Sequence, residues 1–476
     1  MSETPAVPIT LSAEQVLQAT GGRLASGQPD TVCRALSTDS RNLQPGFLFV
    51  ALRGERFDGA DFAQQAANAG AAMIMLEEAA LCAGKLPRPG QAALIVVADT
   101  LRALGDLAAW HRRRNQVRVV GITGSNGKTS TKQMTAAVLS AAGPLLATTG
   151  NLNNQIGLPL CLLGLQAQHR YAVLEMGMNH AGEIARLAEI AAPQVGVVTN
   201  VGPVHLEFFG NMENVARAKA ELVEKLSAQD TAVLNADDPL VWKMRSQTAA
   251  RCVTFGQYAR AEVRICAARQ HSAGEVEVDF EIQGRPLQVR LGRPGLHNAQ
   301  NAAAALAVAL AEGLDLEEAA ARLASVRWPD LRMEIVPAGA GKLLVDCYNA
   351  NPKSVQSALK TLKTLAGSAP ACAILGDMRE LGEASVMLHQ QVGRQVAHLG
   401  YCGLCAFGSL AEHLAQAARE EGLRDVFHTQ KIEEAAAWAR EKLRAGAWVL
   451  IKGSRAMRLE RLVAELAPPH LKKTEG

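Results

Sequence analysis

The segment VRVVGITGSNGKTSTK joins an apolar strand to a helix through a short glycine-rich loop. Glycines allow a tight turn, and backbone amides at the start of a helix face an anion. Lys128 would balance charge on the β- and γ-phosphates of a nucleotide, and Thr129 would bind Mg²⁺. The common spacing places a further glycine where Ile122 stands, so this loop is a shortened variant. An ordinary glycine turn is the alternative, but Gly-Lys-Thr between a strand and a helix favours nucleotide binding.

A triphosphate held by Lys128 requires Mg²⁺ ligands on neighbouring loops, and Mg²⁺ prefers oxygen ligands at about 2.0–2.1 Å. Glu175 ends the apolar strand YAVLEM, and His205 follows another strand end in NVGPVHLEFFG. Each has a plainer alternative, because strand-end glutamates are commonly solvated and single loop histidines are commonly structural. Both are candidate metal ligands.

Lys219 lies in the charged helical segment ARAKAEL. A surface lysine that pairs with glutamate is the plain interpretation. A lysine in a partly buried cleft can instead lose its proton and react with carbon dioxide, which yields a carbamate that acts as an anionic ligand. The residue pattern leaves both interpretations open.

The elements that must position these side chains repeat along a chain of 476 residues, a length that predicts about three domains. Short apolar strands such as 47–52 and an alanine-rich helix after Asp61 predict a small α/β domain. From Val117, strands alternate with helices, which predicts a parallel sheet. Residues 251–292 alternate apolar and polar at period two, which predicts antiparallel strands added to that sheet. A second β-α series follows Trp328.

We therefore predict an α/β protein of three domains. Residues 1–110 form a small α/β domain, residues 111–328 a central P-loop ATPase with a parallel sheet and an antiparallel addition, and residues 329–476 a Rossmann-like doubly wound domain. Such sheets bind ligands beyond the carboxyl ends of their strands. The loops after positions 122, 175, 200, 346 and 452 are therefore the expected ligand sites.

The charge of the chain argues against nucleic acid as its partner. Lys and Arg total 49 and Asp and Glu total 46, so a net charge of +3 is too small for a broad nucleic-acid face.

The sequence shows no export or membrane signal. The start, MSETPAVPIT, lacks a basic segment followed by an apolar run, and no apolar stretch approaches the roughly 18 residues that span a bilayer. Nine scattered cysteines favour reduced thiols, so we expect a cytoplasmic protein. The segment YCGLCAF, with Cys402 and Cys405, is predicted to be a buried strand rather than a zinc site.

The sequence resembles the Mur ligase family, the ATP-dependent amide ligases of peptidoglycan synthesis, over nearly its whole length. The motifs that carry the resemblance are TGSNGKTS, LEMGMNHAGEI, NVGPVHLE, AKAEL, PGLHNAQN and LVDCYNANP, in that order. STDSR at 37–41, GNLNNQIGLP at 150–159, LGDMRELG at 375–382 and KGSRAMRLE at 452–460 are similar to the members that join D-alanyl-D-alanine to UDP-N-acetylmuramoyl-tripeptide. The resemblance implies this activity, with a role in cell-wall formation and cell division, for a chain expected to be monomeric.

The resemblance also implies a UDP-sugar site in the N-terminal domain, ATP and two Mg²⁺ ions at the central domain, and closure by the third domain. The implied ATP-binding residues are Thr123, Gly124, Ser125, Asn126, Gly127, Lys128, Thr129, His297, Asn298, Asn301, Arg332, Asp346, Tyr348 and Asn349. Of these, Asn298 and Asn301 are implied to lie at the adenine edge. The implied metal ligands are Thr129, Glu175, His205 and a carbamylated Lys219, of which the last three act in catalysis with Lys128.

The implied substrate contacts fall in three segments. Asp39, Ser40 and Arg41 match the family's uridine-nucleotide loop, Asn151, Asn153 and Asn154 a substrate-facing loop, and Lys452, Ser454 and Arg455 a segment near the peptide carboxylates. By itself DSR is a common turn sequence. Two positions depart from the family pattern: Ala60 stands where a histidine is expected, and Leu331 where a glycine usually precedes the arginine.

The implied reaction activates the terminal carboxylate of the tripeptide as an acyl phosphate, which the amine of D-alanyl-D-alanine then attacks. The alternatives are the family member that adds the third residue of the peptide, a folylpolyglutamate synthase, and a non-catalytic UDP-muropeptide sensor. KGSR and LGDMRELG argue against the first two, and the lack of a DNPR segment argues further against the first. The retained candidate catalytic residues argue against the third.

Overall fold

The computed structural model describes residues 6–54, 57–85, 87, 88, 90 and 92–467. The chain divides into two compact units, Met1–Gly121 with Gly143–Met178 and Gly182–Gln194, and Ile122–Ala142 with Asn179–Ala181 and Val195–Gly476. The prediction about the start of the chain rests partly on residues 1–5, and the predicted third domain includes residues 468–476; both segments lie outside the described residues.

The N-terminal region forms a sheet with a parallel core. Its elements are β1 (Val7–Ser12), α1 (Ala13–Thr20), β2 (Arg23–Ser26), β3 (Val32–Ser37), β4 (Phe47–Val50), α2 (Ala63–Asn68), β5 (Met73–Glu77), α3 (Glu78–Cys82), β6 (Ala93–Val97) and α4 (Thr100–Arg113). The strand order is β1-β3-β4-β5-β6-β2, and only the two edge strands pair antiparallel. The predicted small α/β domain is confirmed, although the alanine-rich helix is short.

The central region alternates strands and helices before it changes to strands alone. Its elements are β7 (Arg118–Thr123), α5 (Lys128–Leu139), β8 (Leu145–Ala147), α6 (Gly157–Leu163), β9 (Tyr171–Glu175), α7 (Glu183–Ala191), β10 (Val195–Val198), α8 (Leu206–Phe209), α9 (Met212–Glu224), β11 (Thr231–Asn235), α10 (Pro239–Lys243), β12 (Arg251–Gly256), β13 (Val263–Gln270), β14 (Val276–Ile282), β15 (Arg285–Leu291), α11 (His297–Ala311) and α12 (Leu316–Ala324).

Strand order in the central region follows the two units. In the first unit, β9 lies between β7 and β8; in the second, the order is β15-β14-β13-β12-β11-β10. The antiparallel addition is confirmed for β13, β14 and β15. The prediction was wrong for β12, which pairs in parallel with β11. Every β12 residue from Val253 to Gly256 is buried, as in a parallel strand covered on both faces, so the period-two pattern begins only after it.

The C-terminal region is the predicted doubly wound sheet. Its elements are β16 (Glu334–Ala338), β17 (Gly341–Val345), α13 (Pro352–Ala366), β18 (Ala371–Gly376), α14 (Ser385–His398), β19 (Gly403–Phe407), α15 (Ala411–Glu420), β20 (Val426–Thr429), α16 (Ile432–Arg444), β21 (Trp448–Lys452) and α17 (Glu460–Leu466). The order is β16-β17-β21-β18-β19-β20, parallel except at the edge strand β16. Successive residues of β18 alternate between two apolar clusters, one on each face of the sheet, because side chains of a strand point to opposite faces.

The predicted strand in YCGLCAF is confirmed as β19, in which all five residues are buried. Cys405 lies inside this strand, whereas Cys402 precedes it and is exposed. Among the described residues, no helix is both long enough and apolar enough to cross a membrane.

The crossing of α14 and α15 yields a stability prediction. A Cβ on Gly393 of α14 would collide with the carbonyl oxygen of Leu414. We expect Gly393→Ala to lower the free energy of unfolding by about 1–3 kcal/mol, although alanine favours helix, because the two helices must separate. The check is the urea midpoint followed by tryptophan fluorescence. Gly292→Ala is the control, since a Cβ there meets open space; an equal shift in both variants would contradict the packing argument.

Candidate functional site

The loop between β7 and α5 has a backbone that requires glycine. Gly124 has φ +145° and Gly127 has φ +81°. A Cβ on Gly124 would collide with Thr199 Oγ1, and one on Gly127 with Asn301 Oδ1. The loop is thus held between two side chains, and the predicted strand–loop–helix arrangement is confirmed.

The two residues that follow β10, Thr199 and Asn200, hold this loop in place. The backbone N–H of Ser125 donates to the Asn200 carbonyl oxygen at 2.9 Å, and that of Asn126 to Asn200 Oδ1 at 2.9 Å. Thr199 Oγ1 donates to the Asn126 carbonyl oxygen at 2.7 Å. These bonds fix the path of the chain into the first turn of α5, where an anion would be bound.

Two cationic side chains lie on the loop. Lys128 Nζ donates to the Gly124 carbonyl oxygen at 2.8 Å. Arg332 Nη2 donates to Thr129 Oγ1 at 3.0 Å, and its guanidinium lies 4.2 Å from the ring centroid of Tyr348. The structure therefore brings together Lys128, Thr129, Arg332 and Tyr348, four predicted ATP-binding residues from two distant parts of the chain.

The departure at Leu331 has a structural consequence. Leu331 has φ +61°, in the left-handed region that glycine adopts at little cost. The conformation explains the preference for glycine before the arginine. Arg332 still reaches Thr129, so the departure leaves its position intact.

The start of α11 supports the loop from behind. Asn298 and Asn301 are buried, and Asn301 Nδ2 donates to Asn298 Oδ1 at 3.0 Å. Thr131 Oγ1 of α5 donates to Asn301 Oδ1 at 3.2 Å. His297 Nδ1 lies 2.9 Å from Ser357 Oγ, and burial lowers the pKa of His297. The polar groups of these residues form hydrogen bonds within the protein. Their position therefore suits them to hold the loop and α5 in place.

Lys219 is a buried cation among the predicted site residues of the second unit. It lies on α9 and is 2% exposed. Burial, together with the Lys128 ammonium, lowers its pKa well below that of an ordinary lysine. The structure rules out the surface lysine of the plain interpretation. A neutral amine of this kind is the form that reacts with carbon dioxide.

His205 contacts a residue that the sequence did not single out. Its Nδ1 atom lies 2.6 Å from Glu380 Oε2, in the loop after β18. The imidazole lowers the pKa of Glu380. The Glu207 N–H also donates to the Glu380 carbonyl oxygen, at 3.4 Å, so this loop contacts the start of α8 through both side chain and backbone.

Glu175 lies in the first unit, at the end of β9. It is 4% exposed, and Oε1 accepts a hydrogen bond from Asn153 Nδ2 at 2.8 Å. Oε2 is buried and accepts no hydrogen bond from the described residues. Asn154 Oδ1 accepts from the N–H groups of Ile156 and Gly157 at the start of α6, while Asn151 is exposed on the same loop. An unpaired carboxylate oxygen in a buried position suits a cation.

The C-terminal candidates form a tight charge pair. Lys452 is 2% exposed, and its Nζ lies 2.5 Å from Asp346 Oδ2 and 2.9 Å from the Asn349 carbonyl oxygen. Asp346 pairs with the charge of Lys452 in this arrangement, and contact of Lys452 with peptide carboxylates stays a prediction. Arg455 is exposed and reaches Glu460 at 3.3 Å.

Two adjoining loops of the C-terminal sheet share bonds. Ser454 Oγ accepts from the Arg379 N–H at 2.9 Å, and the Ser454 N–H donates to the Asp377 carbonyl oxygen at 3.1 Å. Ser454 is buried. It therefore joins the KGSR and LGDMRELG segments.

The predicted uridine loop of the first unit is a compact turn. Asp39 Oδ1 accepts from the Arg41 N–H at 3.0 Å and from Arg41 Nε at 2.9 Å. Ser40 begins the 3-10 turn that Asp39 caps. Separately, Ala60 lines a pocket together with Arg53, Asp58 and Lys85.

Sequence reasoning missed Asn200, Asn351 and Glu380. Asn351 Nδ2 donates to Asn126 Oδ1 of the loop at 2.7 Å. Its signal was the Asn-Pro sequence that caps α13, which indicates a helix start but not this contact. Among the described residues, no group of three or more His, Cys, Asp or Glu side chains is arranged to hold a metal.

Comparison with known proteins assigns each region to one family. Residues 33–112 match the Mur ligase family, catalytic domain, residues 122–309 the Mur ligase middle domain, and residues 331–455 the Mur ligase, glutamate ligase domain. These matches follow the three α/β regions described above.

Similarity to individual proteins extends over the full length. The chain is 35% identical to UDP-N-acetylmuramoyl-tripeptide–D-alanyl-D-alanine ligase of Escherichia coli K12, with 96% of this chain and 98% of that protein covered. MurF of Acinetobacter baumannii has a TM-score of 0.88 at 34% identity, covering 97% and 99% of the two chains. MurF ligase of Thermotoga maritima in complex with ADP has a TM-score of 0.80 at 29% identity, covering 90% and 96%. The loop geometry and these full-length similarities have one explanation: the chain belongs to the Mur ligase family.

Proposed function

We propose that this chain joins D-alanyl-D-alanine to UDP-N-acetylmuramoyl-tripeptide at the expense of ATP, and so forms UDP-N-acetylmuramoyl-pentapeptide for peptidoglycan. The observation that carries the proposal is the full-length similarity to a ligase whose name states these two substrates. The fixed loop with Lys128 and Arg332 supports the ATP-dependent part.

Amide formation needs ATP because a carboxylate repels nucleophiles and has no good leaving group. The terminal carboxylate of the tripeptide attacks the γ-phosphorus, which gives an acyl phosphate and ADP. The amine of D-alanyl-D-alanine then attacks the acyl carbon, and phosphate leaves. Positioning and charge neutralisation supply most of the rate enhancement in phosphoryl transfer.

The loop residues divide this work. Thr123 to Thr129 present the first turn of α5 to the phosphates, with Lys128 against the β- and γ-oxygens. Lys128 already lies over the loop, on the Gly124 carbonyl oxygen, so it reaches a phosphate by a small side-chain movement. Arg332 brings a second positive charge to Thr129, and its guanidinium forms a cation–π contact with the ring of Tyr348.

We propose Thr129, Glu175, His205 and Lys219 as Mg²⁺ ligands. The buried, unpaired Oε2 of Glu175 fits a cation, and the lowered pKa of Lys219 fits carbamate formation, which converts a cation into an anionic oxygen ligand. Mg²⁺, when bound, neutralises the charge that develops on the transferring phosphoryl group. His205, oriented at Nδ1 by Glu380, retains Nε2 for a metal.

The remaining candidates are assigned by their contacts. Asp346 and Asn349 would meet the nucleoside, with Lys452 as the residue that positions Asp346. Asn298 and Asn301 would act by holding the loop rather than by reading the adenine edge. Exposed Arg455 is the candidate for a peptide carboxylate, while Ser454 holds its segment in place.

The N-terminal region would bind the UDP-sugar. Asp39, Ser40 and Arg41 would meet the uridine nucleotide, and Asn151, Asn153 and Asn154 the peptide part. The three roles fall to residues 1–110, 111–328 and 329–476. The reaction would take place in the cytoplasm, with the chain as a monomer. The other ligases of the sequence analysis and the sensor remain alternatives that the following experiment separates.

The reaction is tested by phosphate release from ATP with Mg²⁺, UDP-N-acetylmuramoyl-tripeptide and D-alanyl-D-alanine. Release should require both substrates, and oxygen-18 in the terminal carboxylate of the tripeptide should pass into phosphate, because that oxygen attacks the γ-phosphorus. Release with UDP-N-acetylmuramoyl-dipeptide and a single amino acid would identify the preceding ligase of the family. Release without transfer of label would reject the acyl phosphate.

Lys128→Ala tests the phosphate assignment. We expect turnover to fall by at least about 100-fold, because a charge on the transferring phosphoryl group is no longer neutralised. Lys243→Ala, at the exposed end of α10, is the matched control and should retain activity. Wild-type turnover in Lys128→Ala would exclude the assignment.

Lys219→Ala tests the carbamate. Turnover should fall by about 100-fold and be partly restored by acetate or formate, since a small carboxylate can replace the carbamate oxygens. Carbon-13 bicarbonate should give a carbamate NMR signal in the wild type and in Lys225→Ala, but not in Lys219→Ala. A wild-type protein without the signal, and a variant that carboxylates do not rescue, would refute carbamylation.

A further inference from the structure

Cys372 and Cys402 bring their sulfur atoms to 2.8 Å from each other. Cys372 is the second residue of β18, and Cys402 immediately precedes β19, the parallel neighbour of β18. The strand register sets Cys372 opposite Gly403. The contact therefore joins two adjacent strands at their amino ends, whereas the loops of the candidate site follow carboxyl ends.

The two thiols differ in access to solvent. Cys372 is 0% exposed and packs in the apolar cluster beneath α16, whereas Cys402 is exposed. Burial raises the pKa of Cys372, so its thiolate is disfavoured while both thiols are reduced. The Cys402 sulfur also lies 3.2 Å from the Ala371 carbonyl oxygen, to which its S–H donates.

We propose that Cys372 and Cys402 form a reversible redox site that reduces a low-molecular-weight disulfide. The sulfur of the exposed residue Cys402, as thiolate, attacks one sulfur of the small disulfide, whose S–S bond breaks. The small thiolate that leaves takes up the proton that Cys402 lost and departs as a thiol. The Cys372 sulfur then attacks the Cys402 sulfur in this mixed disulfide. The Cys372–Cys402 bond forms, the second small thiol leaves, and it takes up the proton of Cys372.

The two steps together balance in atoms and electrons. The protein loses two hydrogen atoms as one disulfide forms, and the small disulfide gains them as two thiols. The proximity of the sulfurs favours the second step, because it needs no strand movement to bring them together. The closed loop spans residues 30 apart in sequence, so the bridge would also restrict the unfolded chain.

Two other cysteines supply internal controls. Cys82 and Cys266 are exposed, and neither has a second sulfur in contact among the described residues. A small disulfide that reacts at either position should leave a stable adduct, because no resolving thiol is present. The same reaction at Cys402 should leave no adduct.

The test uses the reduced full-length chain, desalted and treated with oxidised glutathione, then mapped by mass spectrometry without reduction. We expect glutathione on Cys82 and Cys266, and a peptide pair linked through Cys372 and Cys402 that dithiothreitol separates. In Cys372→Ser, Cys402 should retain glutathione, because the resolving sulfur is gone. In Cys402→Ser, Cys372 should remain reduced, because it is buried.

Three results would overturn the proposal. The first is glutathione retained on wild-type Cys402 to the same extent as on Cys82. The second is a reduced Cys402 in a protein whose Cys82 and Cys266 are modified. The third is a bridge from Cys402 to a cysteine other than Cys372. All three are read in the wild-type protein, so a variant that fails to fold does not affect them, and none depends on the ligase activity.

Discussion

The candidate site depends on a loop whose backbone is held rigid, so that the first turn of the helix after it would present fixed amides to a triphosphate. Side chains at Gly124 or Gly127 would collide with Thr199 or Asn301, so the loop and its supports are packed as one piece. The N–H groups of Ser125 and Asn126 are fixed by Asn200. Because a rigid set of amides pays no reorganisation cost when charge develops, this packing is what makes the loop useful in phosphoryl transfer.

Burial of charge organises the surroundings of the loop. Lys219 is buried on α9, and burial together with the Lys128 ammonium makes its charged amine unfavourable. In the first unit, Glu175 is a buried carboxylate, and one of its oxygens has no hydrogen-bond partner among the described residues. A buried charge without a partner is unfavourable, so each arrangement marks a position where a ligand or a change of protonation would stabilise the fold.

The C-terminal region contributes to this site through residues far away in sequence. Arg332 reaches Thr129, Asn351 reaches Asn126, and Glu380 reaches His205. Lys452 instead turns inward to Asp346. These contacts join the third α/β region to the glycine-rich loop and to the start of α8, while Cys372 and Cys402 lie at the other ends of its strands.

The sequence by itself determined the nucleotide loop, the order of strands and helices, and the buried strands of the third region, because glycine spacing and hydrophobic periodicity are local signals. It did not determine that β12 is parallel, since a short apolar run fits either direction. Only the tertiary structure decided which partner each polar side chain takes. Lys452 and Arg455 look alike in KGSR, yet one is buried on Asp346 and the other is exposed. Pairing of this kind depends on which elements meet in space, and no local pattern records it.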